Sequence, residues 1–199
     1  MNRKTAFRKF PELRTKRLLL RQPSMKDAEW YFEHFSRPEV VWGGGEQGPK
    51  DIGAAREELR EYMIDLYRKR LGFRWIITLK GEGRPIGSLG FYKWAPSAGY
   101  QAEMGYDLTK EHWSKGIMTE SMKAVIDFGF KKMELNRIEI FIMPRNKRSI
   151  KMVKNLGFKR EGLLRQRYFD EFGNFADDVL FSMLRSDWKE LRTDWKEKR

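Results

Sequence analysis

The stretch DLTKEHWSKGIMTE (residues 107–120) decides the fold. It closes a strand near Leu108 and opens a helix near Ile117 or Met118, with a lone glycine, Gly116, set between a lysine and an isoleucine. Backbone N–H groups in such a loop and in the first helical turn have no intrahelical partners. They sit at the positive end of the helix dipole and can receive a phosphate. Glycine suits the place because, without a Cβ, it adopts unusual backbone angles and lets a bulky anion approach the main chain. Lys115 adds charge beside it. A plain turn glycine fits the same residues, and the segment alone does not choose between the two.

Working outward, YQAEMGYDL (100–108) reads as the strand that precedes the loop. Met118, Met122, Val125, Ile126, Gly129 and Met133 mark one face of the helix that follows it. RIEIFIM (137–143) is apolar on both faces, as a central strand is, and Pro144 ends it. A short helix, RSIKMVKNL, stops at Gly157, and two strands follow near GFKREGLL and DDVLFSML with DEFGNF as their turn. Upstream, FRWIITL and PIGSLGFYKW form a hairpin through KGEGR. Ala55, Leu59, Tyr62, Met63, Leu66 and Tyr67 give a helix beginning at Ile52. RLLLRQP (17–23) is a first strand, and Ser24 with Asp27 forms a capping box for AEWYFEHF, a helix ending before Pro38. The glycines of VVWGGGEQGPKD predict a flexible loop, either a border of the substrate site or a connector. From Asp187 the charges alternate around Trp188 and Trp195, which predicts a weakly held extension or a partner contact. The whole is an α/β protein with a mixed, mostly antiparallel sheet flanked by helices: a leader (1–13), one domain (14–188) and a charged tail (189–199).

Composition narrows the chemistry. A chain of 199 residues with 40% apolar content supports one globular core. No run approaches the roughly 20 apolar residues of a membrane span, and MNRKTAFRKF lacks the apolar segment of a secretory signal, so the expectation is a cytosolic protein. With no cysteine and only His34 and His112, disulfides and thiolate sites are excluded and no metal site is expected. Oxygen, nitrogen and backbone groups must carry the chemistry. The net charge of +13 favours anionic partners, among them RNA, the ribosome and phosphorylated cofactors.

EMGYDL, WSKGIM, NRIEIFIMPRNKRS, LGFKREG and FGNFADD, in this order and spacing, resemble the GNAT acetyltransferase family, in its RimJ/RimL branch of ribosomal-protein N-terminal acetyltransferases. The resemblance runs from LRTKRLLLR to DDVLFSMLRSDW and implies the GNAT acyl-CoA N-acyltransferase fold, with acetyl-CoA as co-substrate. In that family a loop Q/R-x-x-G-x-G/A holds the cofactor pyrophosphate through backbone amides. Its positions fall here on Trp113 to Met118, which gives Gly116 its purpose. The chain departs from the pattern at Trp113, where the family has Gln or Arg, and at Met118, where it has a small residue. Phosphate binding is therefore expected to rest on the amides of Ser114, Lys115, Gly116, Ile117, Met118 and Thr119 and on the charge of Lys115. Arg145, Lys147 and Arg148 fit either a further phosphate contact or a solvated basic loop.

The resemblance also implies that the strand ending at Leu108 splays from RIEIF, so that free backbone groups bind the pantetheine arm and the acetyl carbonyl. A backbone N–H there would serve as oxyanion donor, and direct attack by the amine then needs no enzymic nucleophile. Glu103, beside the reaction line, is a candidate general base; orienting the substrate or forming a salt bridge are its other readings. Ser149 matches the family serine near the cofactor sulfur, where it could protonate the departing thiolate, and it could equally cap the helix it opens. Asn146 matches a family asparagine that touches cofactor or amine. At pH 7 roughly a tenth of an α-amine is neutral but only a few in ten thousand lysines are, so an N-terminal acceptor asks least of the base. The expected acceptor is the N terminus of a ribosomal protein, with a basic surface suited to ribosomal RNA. A small amine such as a polyamine or aminoglycoside is the alternative within the fold. A non-catalytic RNA-binding protein is the alternative outside it.

Overall fold

A computed structural model describes residues 7–44, 48–95, 100–169 and 173–197. Eight strands form one sheet: β1 (Leu13–Arg14), β2 (Leu18–Arg21), β3 (Phe73–Leu79), β4 (Pro85–Ala95), β5 (Gln101–Leu108), β6 (Arg137–Ile142), β7 (Lys159–Phe169) and β8 (Phe175–Leu184), ordered β1-β2-β3-β4-β5-β6-β8-β7. Every neighbouring pair is antiparallel except β5 and β6. A parallel pair cannot be joined by a tight turn. The crossover contains the longest described helix, α5 (Ile117–Lys132), reached from the carboxyl end of β5 through the loop of residues 109–116.

The remaining helices are α1 (Ala28–Phe35), α2 (Pro38–Gly44), α3 (Ile52–Leu59), α4 (Asp65–Arg68), α6 (Lys147–Asn155) and α7 (Arg185–Glu197), with one wide π turn, Arg60–Ile64, between α3 and α4. Strand alternation divides the side chains between two faces. Ala102, Met104 and Leu108 of β5 and Ile138, Ile140 and Ile142 of β6 enter the larger core with Met122, Val125, Ile126 and Phe130 of α5. A smaller core on the other face joins Trp30 and Tyr31 of α1, Ala55 and Leu59 of α3, and Ile76 of β3. No described helix is long and apolar enough to cross a membrane.

Two local expectations change, at the glycine-rich loop and at the tail, and the described part of the leader is placed. The segment read as a glycine-rich loop is helical as far as Gly44, because Pro38 is well placed at a first helical position; the loop's residues 45–47 lie outside the described ones. Residues 7–13 of the leader pack on the domain. Phe7 stacks on Phe73 at 4.6 Å, Phe10 is buried, and Trp75 Nε1–H donates to the Pro11 carbonyl at 2.6 Å. The described part of the charged tail belongs to α7, and that helix is docked. Trp188 is buried, stacks on Phe130 at 5.3 Å and donates its indole N–H to Asp127 at 2.8 Å. Leu191 lies against Gly157, where φ is +96° and an added Cβ would fall 2.2 Å from Leu191 Cδ1.

Replacing Trp188 with Ala should therefore cost about 3–5 kcal/mol of stability, measured by urea unfolding, as large-to-small changes in a core do. An unchanged midpoint would show that α7 contributes nothing to the core.

Candidate active site

The β5–β6 ladder has three rungs, Gln101↔Arg137, Ala102↔Ile138 and Glu103↔Glu139, and then stops, although β6 continues to pair with β8 through Ile142. From Met104 onward the two strands part, as the family resemblance implies. A groove of about 1310 Å³ runs from this parting to the start of α5. Leu108, Trp113, Ser114, Gly116, Ile117, Met118, Thr119, Asn146 and Ser149 all line it. Lys115 and Glu103 do not.

The loop is held in an unusual shape. Ser114 has φ +59° and Gly116 φ +72°, both left-handed. Left-handed residues alternating with ordinary ones turn neighbouring backbone N–H groups into an anion-binding concavity. Gly116 tolerates the angle because it has no Cβ, and it is the N-cap of α5, whose unpaired N–H groups begin there. The Lys115 carbonyl is turned the other way, accepting from Arg17 at 3.0 Å, so this residue anchors the loop from behind. Glu120, in the first turn of α5, accepts from Thr15 Oγ1 at 2.6 Å, from Arg17 N at 2.9 Å and from Arg17 Nε at 2.7 Å. Burial pushes the Glu120 carboxyl up, but these partners outweigh it and hold it below the usual carboxylate range.

Trp113 has a structural use where the family has Gln or Arg. Its indole N–H donates to the Leu108 carbonyl at 2.8 Å, closing the loop on the end of β5. The Arg148 guanidinium lies 4.0 Å from the centroid of its ring. The cation absent from the loop is thus present in space, brought by α6, with Arg145, Lys147 and Lys151 beside it in the groove wall. This cradle of left-handed backbone, helix N terminus and basic side chains fits a diphosphate group.

At the parting of the strands, Tyr106 Oη and Ser149 Oγ are hydrogen-bonded, and both line the groove. Burial raises the Tyr106 phenol well above its ordinary value, against a smaller lowering by Ser149, so it stays neutral. Ser149 does not cap α6. Asn146 does, accepting from Ser149 N–H at 3.1 Å. Tyr106 went unrecognised in the sequence because alternation assigns it to the apolar face with Met104 and Leu108, where a phenol reads as core.

On the opposite face, Glu103 Oε2 is 2.9 Å from Lys93 Nζ. Farther along β5, Asp107 is fully engaged. Its carboxylate accepts from His34 Nε2 at 2.8 Å, from Ser88 N–H at 3.0 Å, from Ser88 Oγ at 2.6 Å and from Arg74. Burial would raise the Asp107 carboxyl; Arg74 first, then His34 and Ser88, keep it below the ordinary range. This network fixes the end of α1 against β5 and so places α2, whose Pro38, Glu39, Val40 and Val41 form the far wall of the groove.

With this geometry in view, the comparisons with known proteins are direct. The model of the acetyltransferase (GNAT) domain family matches residues 17–159, and the chain belongs to that family. It is 36% identical over 176 residues to the N-acetyltransferase p20 of Bacillus licheniformis, covering 88% of this chain and 97% of the relative. It is 27% identical over 183 residues to the [ribosomal protein uS5]-alanine N-acetyltransferase of Escherichia coli (strain K12), covering 88% and 92%. Among solved structures, the microcin C7 self-immunity acetyltransferase MccE, in complex with acetyl-CoA and AMP, superposes with a TM-score of 0.73 at 22% identity, over 85% of this chain and 93% of that one. The protein is an acyltransferase, and GNAT enzymes take acetyl-CoA as their acetyl donor.

Because the folded value of Asp107 is depressed, its contribution to stability is complete above the unfolded carboxylate value near 3.9 and is lost as pH falls through the folded one. Asp107→Asn leaves Arg74 buried without its counter-charge and should lower stability at pH 7 by about 3–5 kcal/mol while flattening the decline below pH 4, as followed by urea midpoints across pH. A variant as stable and as acid-sensitive as the parent would contradict the assignment.

Proposed function

We propose that this protein acetylates the N-terminal α-amine of a ribosomal protein, with acetyl-CoA lying in the groove between β5 and α6. The observation that carries the acceptor is the likeness, over 88% of the chain, to an enzyme named for ribosomal-protein alanine acetylation. The net charge of +13 supports it, since the substrate would be met on or near an anionic assembly.

When bound, acetyl-CoA supplies an activated thioester carbonyl. The left-handed loop and the first turn of α5 bind its diphosphate, and Arg148 on Trp113 adds charge. Asn146 and Trp113 fix the two walls. Glu103, on the last rung before the strands part, accepts the proton released by the amine, directly or through one water. Tyr106, kept neutral by desolvation, donates to Ser149 Oγ; as the Ser149 hydrogen passes to the leaving sulfur, the Tyr106 hydrogen follows onto Ser149 Oγ and Tyr106 is reprotonated from solvent in the groove. Glu103, Glu139, Glu161 and Asp178 give the acceptor face an acidic character that a polyamine could use. Lys93, Arg137 and Arg167 already pair with all four, which favours a single ammonium.

Acetyl-CoA should raise the melting temperature, since a ligand bound only by the folded state at a hundred times its Kd adds about 2.7 kcal/mol. Gly116→Asp, which puts a carboxylate and a Cβ where the anion approaches, should still fold, less stable by about 1 kcal/mol because an L-residue must take the left-handed angle, and should lose that rise. No rise in the parent up to millimolar acetyl-CoA would overturn the reading, and salt-sensitive RNA binding would take its place.

Ser149→Ala should lower kcat about 100-fold on an alanine-initiated ribosomal-protein peptide, with acetyl-CoA affinity held, because general acid assistance is worth roughly that factor or more. A kcat within twofold of the parent would remove Ser149 from the chemistry.

A further inference from the structure

Lys93 is placed by a defect in an otherwise regular strand. In β4, Leu89 and Phe91 enter the larger core, so strict alternation would send Lys93 there next. It does not go. The register with β5 shifts between Tyr92 and Ala95, Lys93 takes a left-handed φ of +47°, and Trp94 enters the core in its place. L-residues rarely adopt that angle, and bulges of this kind re-aim a side chain beside active sites. What the bulge accomplishes here is to bring the Lys93 ammonium onto Glu103.

Among the described residues, Glu103 shares its sheet face with Lys93 on β4, Glu139 and Arg137 on β6, Glu161 and Arg167 on β7, Asp178 on β8 and, farther along β5, the pair of Arg74 with Asp107. The three guanidinium groups are tied down. Arg137 is shared between Glu139 and Glu161, and Arg167 bonds Asp178 at 2.8 Å while lying 3.6 Å from the Phe141 ring centroid. Lys93 holds Glu103 with one contact, from a side chain that is 74% exposed. It is a single primary ammonium on a long stem, and it sits on the carboxylate assigned to the acceptor amine.

We infer that Lys93 is an internal stand-in for the acceptor: in the free protein its ammonium occupies the amine position at Glu103, and an incoming primary ammonium must displace it. This rests on Glu103 facing the acceptor, as proposed above, and adds a competitor of the same chemical class that sets acceptor affinity. Displacement exchanges one ammonium for another, so Glu103 is never left without a counter-charge. A neutral or anionic group gains nothing there.

The test is binding, not turnover. Alaninamide is titrated by NMR into the CoA-bound parent, Lys93→Met, Glu103→Gln and the double variant. Lys93→Met should bind about two- to fivefold more tightly, ~0.4–1 kcal/mol at 1.4 kcal/mol per tenfold, which is the range of a partly exposed ion pair. Glu103→Gln should bind more weakly than the parent, and adding Lys93→Met to it should bring no further gain. Equal or weaker binding by Lys93→Met overturns the inference, as does absence of binding to every form. The same gain in the Glu103→Gln background also overturns it, since the effect would then be long-range repulsion. Failure of acetyl-CoA to raise the melting temperature would sink the acetyl-transfer reading separately, because this titration contains no acetyl donor.

Discussion

The three-rung parallel ladder between β5 and β6 is the constraint on which the molecule depends. Parallel neighbours require a crossover, and the crossover is α5; its first turn must therefore lie beside the carboxyl end of β5. Because the ladder ends at Glu103, the edge of β5 facing β6 has no ladder partners from Met104 to Leu108. Buried backbone groups demand partners. The groove gives that edge access to an extended, amide-bearing ligand, which is what the pantetheine arm of the family's donor provides. One topological decision thus shapes the left-handed loop at the start of α5, the groove and the parting of the strands.

Charge is distributed to match. The wall contributed by α6 and the turn before it is basic, through Arg145, Lys147, Arg148 and Lys151. The open sheet face beyond the ladder carries Glu103, Glu139, Glu161 and Asp178, each tied to a cation. A protein of net charge +13 thereby keeps one local region where an ammonium is not repelled.

Much of this was legible in the sequence, for identifiable reasons. Gly116 and the helix start are local features, and the spacing from Trp113 to Met118 is short enough to read directly. What was missed is either long-range or in conflict with a local rule. Arg17 and Glu120 are 103 residues apart, and nothing near either announces the other. Tyr106 was hidden by strand alternation. Trp188, Leu191 and Trp195 fall three and four residues apart, the stripe of a docked helix, but the surrounding charges suggested an extension. Glycines 43 and 44 masked α2, although Pro38 marked its start. At Lys93 the conflict was itself the signal: a lysine at a position that alternation assigns to the core requires a bulge.

The Thr15–Arg17–Glu120 cluster has a consequence for the order in which the molecule assembles. The loop around Gly116 lies between a strand and a helix that can form from near neighbours, yet its rear is closed by residues from the amino-terminal end of the domain. Contacts that span a hundred residues enclose a long loop of chain, and such closures come at a high entropic cost and form slowly. The rear of the loop is accordingly closed only when the segment from Thr15 to Arg17 has docked, so the shape of the groove depends on contacts far away in the sequence.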